Sequence, residues 1–105
     1  MKSLNQWQKE MAGAANAKYP NNSTWSEEDR LLSIGRQMAD LYTARMVEKG
    51  VLPPDPKIKT VEHRAAALIA DILIYCEMRN RNNIEEEMKA VLAFFNDGKA
   101  VRSNE

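Results

Sequence analysis

One acidic residue lies inside the most apolar segment of the chain. Asp71 is the only charged side chain in LIADILIY, residues 68–75. The length of the surrounding apolar run favours a helix over a strand. Burying an ionised carboxylate without a partner is costly, so a buried aspartate needs a metal ion, a cationic side chain or hydrogen-bond donors beside it. The sequence therefore predicts a polar site centred on Asp71.

Other residues whose side chains could act as ligands or catalysts have simpler explanations. Glu62 and His63 begin the helix that carries Asp71, where Glu62 could supply a ligand or a base, although both residues also fit a solvated first turn. The acidic runs 27–29 and 85–87 suit the positive end of a helix dipole. Cys76 is the single cysteine and fits a small core residue. No glycine-rich phosphate loop and no paired cysteine or histidine motif competes as a catalytic signature, so the catalytic residues stay unknown.

Composition narrows the class of protein. Fifteen basic and fifteen acidic residues cancel in 105 residues, which gives no electrostatic reason to expect nucleic-acid binding. One cysteine suits a reducing compartment, and the N-terminal segment lacks a signal-peptide core. The longest nearly apolar run, residues 65–76, is shorter than the roughly 20 residues of a membrane span. We expect a cytoplasmic protein that binds neither nucleic acid nor membrane.

Turn and capping residues divide the chain into four helices within a single domain, residues 1–105. The helices are predicted at about 3–18, 26–49, 60–80 and 83–97, each range beginning at a residue that favours the N-cap position. These caps are Ser3, Ser26, Thr60 and Asn83. Three prolines in residues 51–57 exclude regular helix there. The sequence contains no convincing strand pattern. The predicted fold is therefore all-α, with four helices packed together.

The third predicted helix, about 60–80, lacks a continuous polar face. A helix that is apolar on nearly all sides is usually the central one. The other helices carry single apolar stripes that we expect to face inward, including Leu31, Met38 and Tyr42 in the second and Met88 and Phe95 in the fourth. Three short helices cover such a central helix poorly. We therefore expect a homodimer or tetramer, with a well-covered monomer as the alternative.

Two segments carry a family resemblance. Residues 68–88, LIADILIYCEMRNRNNIEEEM, and residues 26–41, SEEDRLLSIGRQMADL, resemble the MazG-like all-α nucleotide pyrophosphohydrolases. In that family an E-E-x-x-E motif on one helix faces an E-x-x-D motif on a later one. The resemblance covers about residues 25–97. It implies a MazG-like helical fold and hydrolysis of a nucleoside triphosphate to the monophosphate and pyrophosphate, with Mg²⁺ held by the motif carboxylates.

The sequence departs from both family motifs. The first motif position reads Arg36-Gln37-Met38-Ala39-Asp40, and the second reads Leu68-Ile69-Ala70-Asp71. Only Asp40 and Asp71 match family carboxylates, and a cation replaces one lost acid. Because Mg²⁺ needs several oxygens in octahedral positions, two aspartates beside an arginine would bind it poorly.

We therefore expect a cation to stand where the family binds metal. Arg36 lies one helical turn before Asp40 and could reach across to Asp71, while Arg64 lies two turns before Asp71 on the same face. The favoured function is a degenerate MazG-like homologue, a pseudoenzyme that acts as a weak or inactive nucleotide-binding or interaction module. One alternative is an active Mg²⁺-dependent hydrolase using Asp40, Asp71 and Glu62. Another is a homo-oligomeric assembly protein without a small ligand.

Overall fold

The described part of the chain, residues 1–102, folds into four α-helices. The computed structural model describes the backbone of residues 1–102 and the side chains of residues 1–97. No strand occurs in this part of the chain, so the predicted all-α class is confirmed. None of the helices described is both long and apolar enough to cross a membrane. The helices are α1 (Leu4–Lys18), α2 (Glu27–Glu48), α3 (Val61–Met78) and α4 (Ile84–Arg102), with a 3₁₀ helix at Pro20–Thr24.

Side-chain caps begin the first three helices where the sequence predicts them. The Ser3 hydroxyl accepts from the Gln6 backbone N–H, and the Gln6 side chain accepts from the Ser3 N–H in return. Ser26 and Asp29 make the same reciprocal pair at the start of α2. Thr60 accepts from the His63 N–H. Each cap satisfies backbone donors that the first helical turn leaves free.

The ends of the helices follow the predictions less uniformly. Gly50 has φ 79° just after α2, the left-handed conformation that glycine tolerates. The prolines of the 51–57 connector then separate α2 from α3. We expected the last helix to end at Asp97-Gly98, and this was wrong, because α4 continues through Arg102. A single glycine costs a helix only about 1 kcal/mol, so it does not by itself stop one.

Two antiparallel helices, α2 and α3, form the main hairpin, and α1 packs against another side of α3. The buried apolar residues are few: Ala12, Ala44, Leu73 and Ile74. Between α1 and α3, the Gln8 amide donates to a Glu77 carboxylate oxygen at 2.9 Å and to the Arg81 carbonyl. Gln8 is fully buried. A polar contact therefore anchors α1 where a larger protein would use apolar packing.

Most of the apolar residues that we expected to face inward on α2 and α4 are exposed in the single chain, whereas Ile34 and Leu41 of the α2 stripe are half-buried. Leu31, Met38 and Tyr42 of α2 are 47%, 59% and 67% exposed. In α4, Ile84 and Glu85 are half-buried, and residues 86–97 are all exposed. The expectation failed because α1 covers only one side of the α2–α3 hairpin, and α4 projects from the body after its first turn.

The chain is far more extended than its size requires. Its accessible surface is 7909 Å², whereas a folded monomer of this mass has about 6,000 Å². Its radius of gyration is 16.6 Å, against about 13 Å for a compact domain of this length. The excess surface is of the order that one subunit contributes to a dimer interface.

Candidate functional site

Asp71 forms a buried ion pair with Arg30 across the α2–α3 contact. The Arg30 Nη1 donates to Asp71 Oδ1 at 2.7 Å, and the Ser33 hydroxyl donates to Asp71 Oδ2 at 2.6 Å. Arg30 is 4% exposed and Asp71 is 5% exposed. Both carboxylate oxygens therefore have a donor, and one donor carries a full positive charge. The partners that the buried Asp71 carboxylate needs are therefore the Arg30 guanidinium and the Ser33 hydroxyl.

Local structure places Arg30 at this position. The Ser26 cap starts α2, and the Arg30 backbone N–H donates to the Ser26 carbonyl at 3.2 Å, which closes the first helical turn. The Arg30 guanidinium lies 4.6 Å from the centroid of the Trp25 ring, a cation–π arrangement. Its Nε has no hydrogen-bond partner. Arg30 is thus held between an aromatic face and a carboxylate, with one buried donor unused.

The cation that we expected beside Asp71 was misassigned. Arg36 is exposed to solvent and is not among the partners of Asp71. Arg64 contacts Asp40 instead, with its Nη1 at 3.5 Å from Asp40 Oδ2. Arg64 also donates to the carbonyls of Ile58 and Lys57, both at 2.6 Å. It therefore fastens the 51–57 connector to the start of α3 and reaches α2 only weakly.

The two predicted metal ligands, Asp71 and Asp40, belong to two separate ion pairs across the α2–α3 hairpin, here called its rungs. One rung joins Arg30 to Asp71, and the other joins Asp40 to Arg64. Seven residues of helix separate Arg64 from Asp71, which is about 10 Å along the axis. Oxygen ligands lie about 2.0–2.6 Å from Mg²⁺ or Ca²⁺. One ion cannot be held by both carboxylates in this arrangement.

The donor set does not fit a divalent metal. Within the described residues, no three histidine, cysteine, aspartate or glutamate side chains come together as a metal site. Gln37 and Leu68, which lie between the two ion pairs, carry no charge, and Glu62 and His63 are exposed in the first turn of α3. Mg²⁺ would have to displace Arg30 from Asp71 and would then find a single carboxylate.

A cleft opens beside the Arg30–Asp71 pair. It has a volume of about 260 Å³ and runs between the α1–3₁₀ segment and the α2–α3 hairpin. Trp25 and Tyr19 supply aromatic surface, and Gln37 supplies an amide. Arg30, Ser33 and Asp71 line the same cleft. Their polar groups bond mainly to one another, since Asp71 accepts from both Arg30 and Ser33.

Cys76 lies in an environment that disfavours its reactive thiolate form. Burial raises the pKa of its thiol above the usual value, and the positive charge of Arg79 opposes this shift only in part. The thiol is therefore protonated near neutral pH, whereas a cysteine nucleophile needs a lowered pKa. Cys76 is half-buried and lies outside the set of buried apolar residues, so it is not the core residue that the sequence predicts.

Sequence reasoning missed Arg30 and Ser33. A signal was present, because Arg30 directly follows the acidic run 27–29 and Ser33 lies one turn further along the same face. A cation among three acids at the positive end of a helix runs against the dipole, so it needs another reason. That reason is Asp71, which only the packing of α2 on α3 brings into reach.

The fold and the site together define an all-helical domain with a buried ion pair between α2 and α3. Comparison with known protein families, with curated proteins and with solved structures finds no match to this chain.

Proposed function

We propose that this chain is a MazG-like domain that has lost pyrophosphohydrolase activity and serves as a self-associating interaction module. The observation that carries the proposal is the state of Asp71, which is neutralised by Arg30 and Ser33 at 2.7 and 2.6 Å. A buried aspartate that already has a cation does not need a metal ion. In this interpretation α3 is the central helix of a MazG-like arrangement.

The lost family carboxylates support the loss of catalysis. The positions between the two rungs hold Gln37 and Leu68, which have no charge. Hydrolysis of a phosphoric anhydride in this family depends on Mg²⁺ to bind the phosphates and activate water. With one aspartate paired to Arg30 and the other near Arg64, the chain lacks the concentration of negative charge that would recruit such an ion.

The uncovered face of the α2–α3 hairpin supports self-association. α1 packs on one side of α3, and the opposite side of the hairpin presents apolar residues from both helices. From α2 these include Leu31, Met38 and Tyr42, and from α3 Ile72, which is 38% exposed. A second copy placed with two-fold symmetry on this α2–α3 face would form a four-helix core. A homodimer, or a tetramer built from two such dimers, follows.

Nucleotide binding without turnover is a second candidate. The cleft beside Arg30 combines the Trp25 ring with an unpaired, buried guanidinium donor. Thermal unfolding of the protein with each common nucleotide, with and without Mg²⁺, tests this. A rise in Tm that does not depend on the metal supports binding in the cleft, since a ligand that binds only the folded state stabilises it. No rise with any nucleotide removes this candidate.

Restoring the lost carboxylates tests the proposed loss of catalysis. The triple variant Arg36→Glu, Gln37→Glu, Leu68→Glu returns acids to the family positions. We expect the wild-type protein to release no pyrophosphate from any common NTP or dNTP with Mg²⁺ or Mn²⁺. We expect the triple variant to bind Mn²⁺, as measured by calorimetry or by the electron paramagnetic resonance signal of free Mn²⁺.

A matched control separates a built metal site from added charge. Ala39→Glu, Ala90→Glu and Ala93→Glu add three acids at exposed helical positions away from Asp71. This control variant should bind Mn²⁺ no better than the wild type. Brisk metal-dependent turnover by the wild type, abolished by Asp40→Asn or Asp71→Asn, would overturn the proposal and favour the active hydrolase.

A minimal pair of variants tests the proposed dimer face. Met38 and Ala39 are adjacent and both exposed on α2, but only Met38 lies on the apolar side. We expect Met38→Glu to shift the protein toward monomer in sedimentation equilibrium, whereas Ala39→Glu should leave the distribution unchanged. A wild-type protein that stays monomeric at every concentration would contradict self-association.

A further inference from the structure

Helix α4 is amphipathic, and among the described residues its apolar stripe has no partner in its own chain. Its attachment is confined to its first turn, where the Leu4 backbone N–H donates to Glu85 Oε1 at 3.0 Å. Beyond that turn, large apolar side chains stand in water: Met88 is 53% exposed, Leu92 59% and Phe95 60%. These three residues, with Val91, follow the spacing of a single helical stripe.

An unpacked helix of this length is marginal in water. Helices derive most of their stability in proteins from tertiary packing of an apolar face, and isolated segments of about 15 residues are barely stable even with strong helix formers. The α4 stripe includes one β-branched and one aromatic residue, which are weaker helix formers. The stripe therefore needs a surface to cover it.

A receiving surface of matching character lies between α1 and α3. This α1–α3 groove has a volume of about 260 Å³ and is almost wholly apolar. Trp7 on one wall is 41% exposed, and Ile69 on the other is 55% exposed. The groove is lined by Leu4, Trp7, Met11, Ala66, Ile69, Ala70 and Leu73.

The lengths of the stripe and the groove agree. The anchors of α4 run from Met88 to Phe95, which is eight residues of helix and about 10 Å along its axis. Each wall of the groove also spans eight residues, from Leu4 to Met11 and from Ala66 to Leu73. A short amphipathic helix with anchors one and two turns apart is the usual occupant of such a groove.

We infer that the α4 helix of one copy docks in the α1–α3 groove of a second copy. The occupant is a second copy because α4 leaves its own body after one turn, and because the excess surface of about 1,900 Å² lies within the roughly 1,000–2,500 Å² that one subunit buries in an obligate homodimer. Ile69 also lies beside Ile72, so the groove is continuous with the α2–α3 face. This inference rests on the proposed self-association and adds the element that secures it.

Two double variants of α4 test the inference. Leu92→Glu with Phe95→Glu places charges on the stripe, whereas Ala90→Glu with Ala93→Glu places equal charges on the opposite side of the same helix. In sedimentation equilibrium we expect the first variant to raise the dimer dissociation constant by at least about thirtyfold, as loss of central anchors does. The second variant should stay within about threefold of the wild type.

A cross-link identifies the groove itself. One preparation carries Met11→Cys and the other Leu92→Cys, both with Cys76→Ser, and the two are mixed before oxidation. We expect a covalent dimer that contains one chain of each kind. A Met11→Cys, Leu92→Cys, Cys76→Ser chain that instead closes a disulfide within a monomer would overturn the inference, because α4 would then fill its own groove. Absence of both products would overturn it as well.

The outcomes distinguish this inference from the proposed function. If Met38→Glu dissociates the dimer but the Leu92→Glu, Phe95→Glu variant does not, the α2–α3 face holds the dimer and docking of α4 is refuted. If the wild-type protein is monomeric throughout, self-association and α4 docking both fail.

Discussion

Replacing Arg30 by methionine tests the ion pair on which the site depends. Methionine keeps much of the apolar volume of the arginine stem but removes the charge, so Asp71 would stay buried with only the Ser33 hydroxyl as a donor. The carboxylate must then take up a proton or pull water into the α2–α3 contact. Either route destabilises the folded state relative to the unfolded one, where the carboxylate is hydrated.

The expected loss is large for a domain of this size. Removing one partner of a buried pair costs about 3–5 kcal/mol, against a total stability of about 5–15 kcal/mol for a typical domain. Both partners here are almost fully buried, at 4% and 5% exposure, so solvent screens the pair little. Since 1 kcal/mol shifts the Tm of a small domain by about 4–8 °C, Arg30→Met should lower it by at least about 12 °C.

The assay is a double-mutant cycle measured by urea unfolding. Asp71→Leu in the Arg30→Met background should recover most of the lost stability, because an apolar pair of similar volume can replace a buried ion pair at little net cost. The matched control is the coupling energy between Arg64→Met and Asp40→Asn, whose 3.5 Å contact involves a half-exposed carboxylate. Such a pair should be worth less than about 1 kcal/mol. The single Arg64→Met variant also loses the hydrogen bonds to the Ile58 and Lys57 carbonyls, so its stability alone is not the control. If Arg30→Met unfolds within about 1 kcal/mol of the wild type, the buried pair does not hold the hairpin.

Three further predictions concern local features. The rate at which iodoacetamide alkylates Cys76 should rise with pH and follow an apparent pKa above the value of about 8.5 for free cysteine, because burial raises the pKa of the thiol. A rate profile with an apparent pKa at or below that value would contradict this. The same shift makes stability fall as the pH rises through alkaline values, since the unfolded thiol ionises first, and Cys76→Ala should remove that slope from urea midpoints. Gly50→Ala should destabilise the protein by about 1 kcal/mol because φ is 79° there, which thermal unfolding measures, and an unchanged Tm would show that the turn relaxes. Ser26→Ala should lower the free energy of unfolding by about 1 kcal/mol through loss of the α2 cap. The Tm should therefore fall, while the helicity of the folded protein measured by circular dichroism should change little.

Local chemistry explains what could be predicted about the fold. The N-caps of α1, α2 and α3 were predictable because Ser3, Ser26 and Thr60 act on backbone groups within three residues of themselves. The break between α2 and α3 was predictable because proline excludes helix wherever it stands. Which apolar stripe lies inside the chain was not predictable, because a stripe that packs on a neighbouring helix and one that packs on another subunit have the same spacing.

The sequence by itself determined that Asp71 needs a partner, since a carboxylate in an apolar helix is costly in any fold. Tertiary structure alone decided that the partner is Arg30, whose guanidinium lies 41 residues away in the chain and 2.7 Å away in space. Helical spacing relates residues only within one helix, so it could not show whether Arg36, Arg64 or another cation reaches Asp71. Side chains along the whole contact set the register in which α2 and α3 pack. That register determines which side chains of the two helices meet.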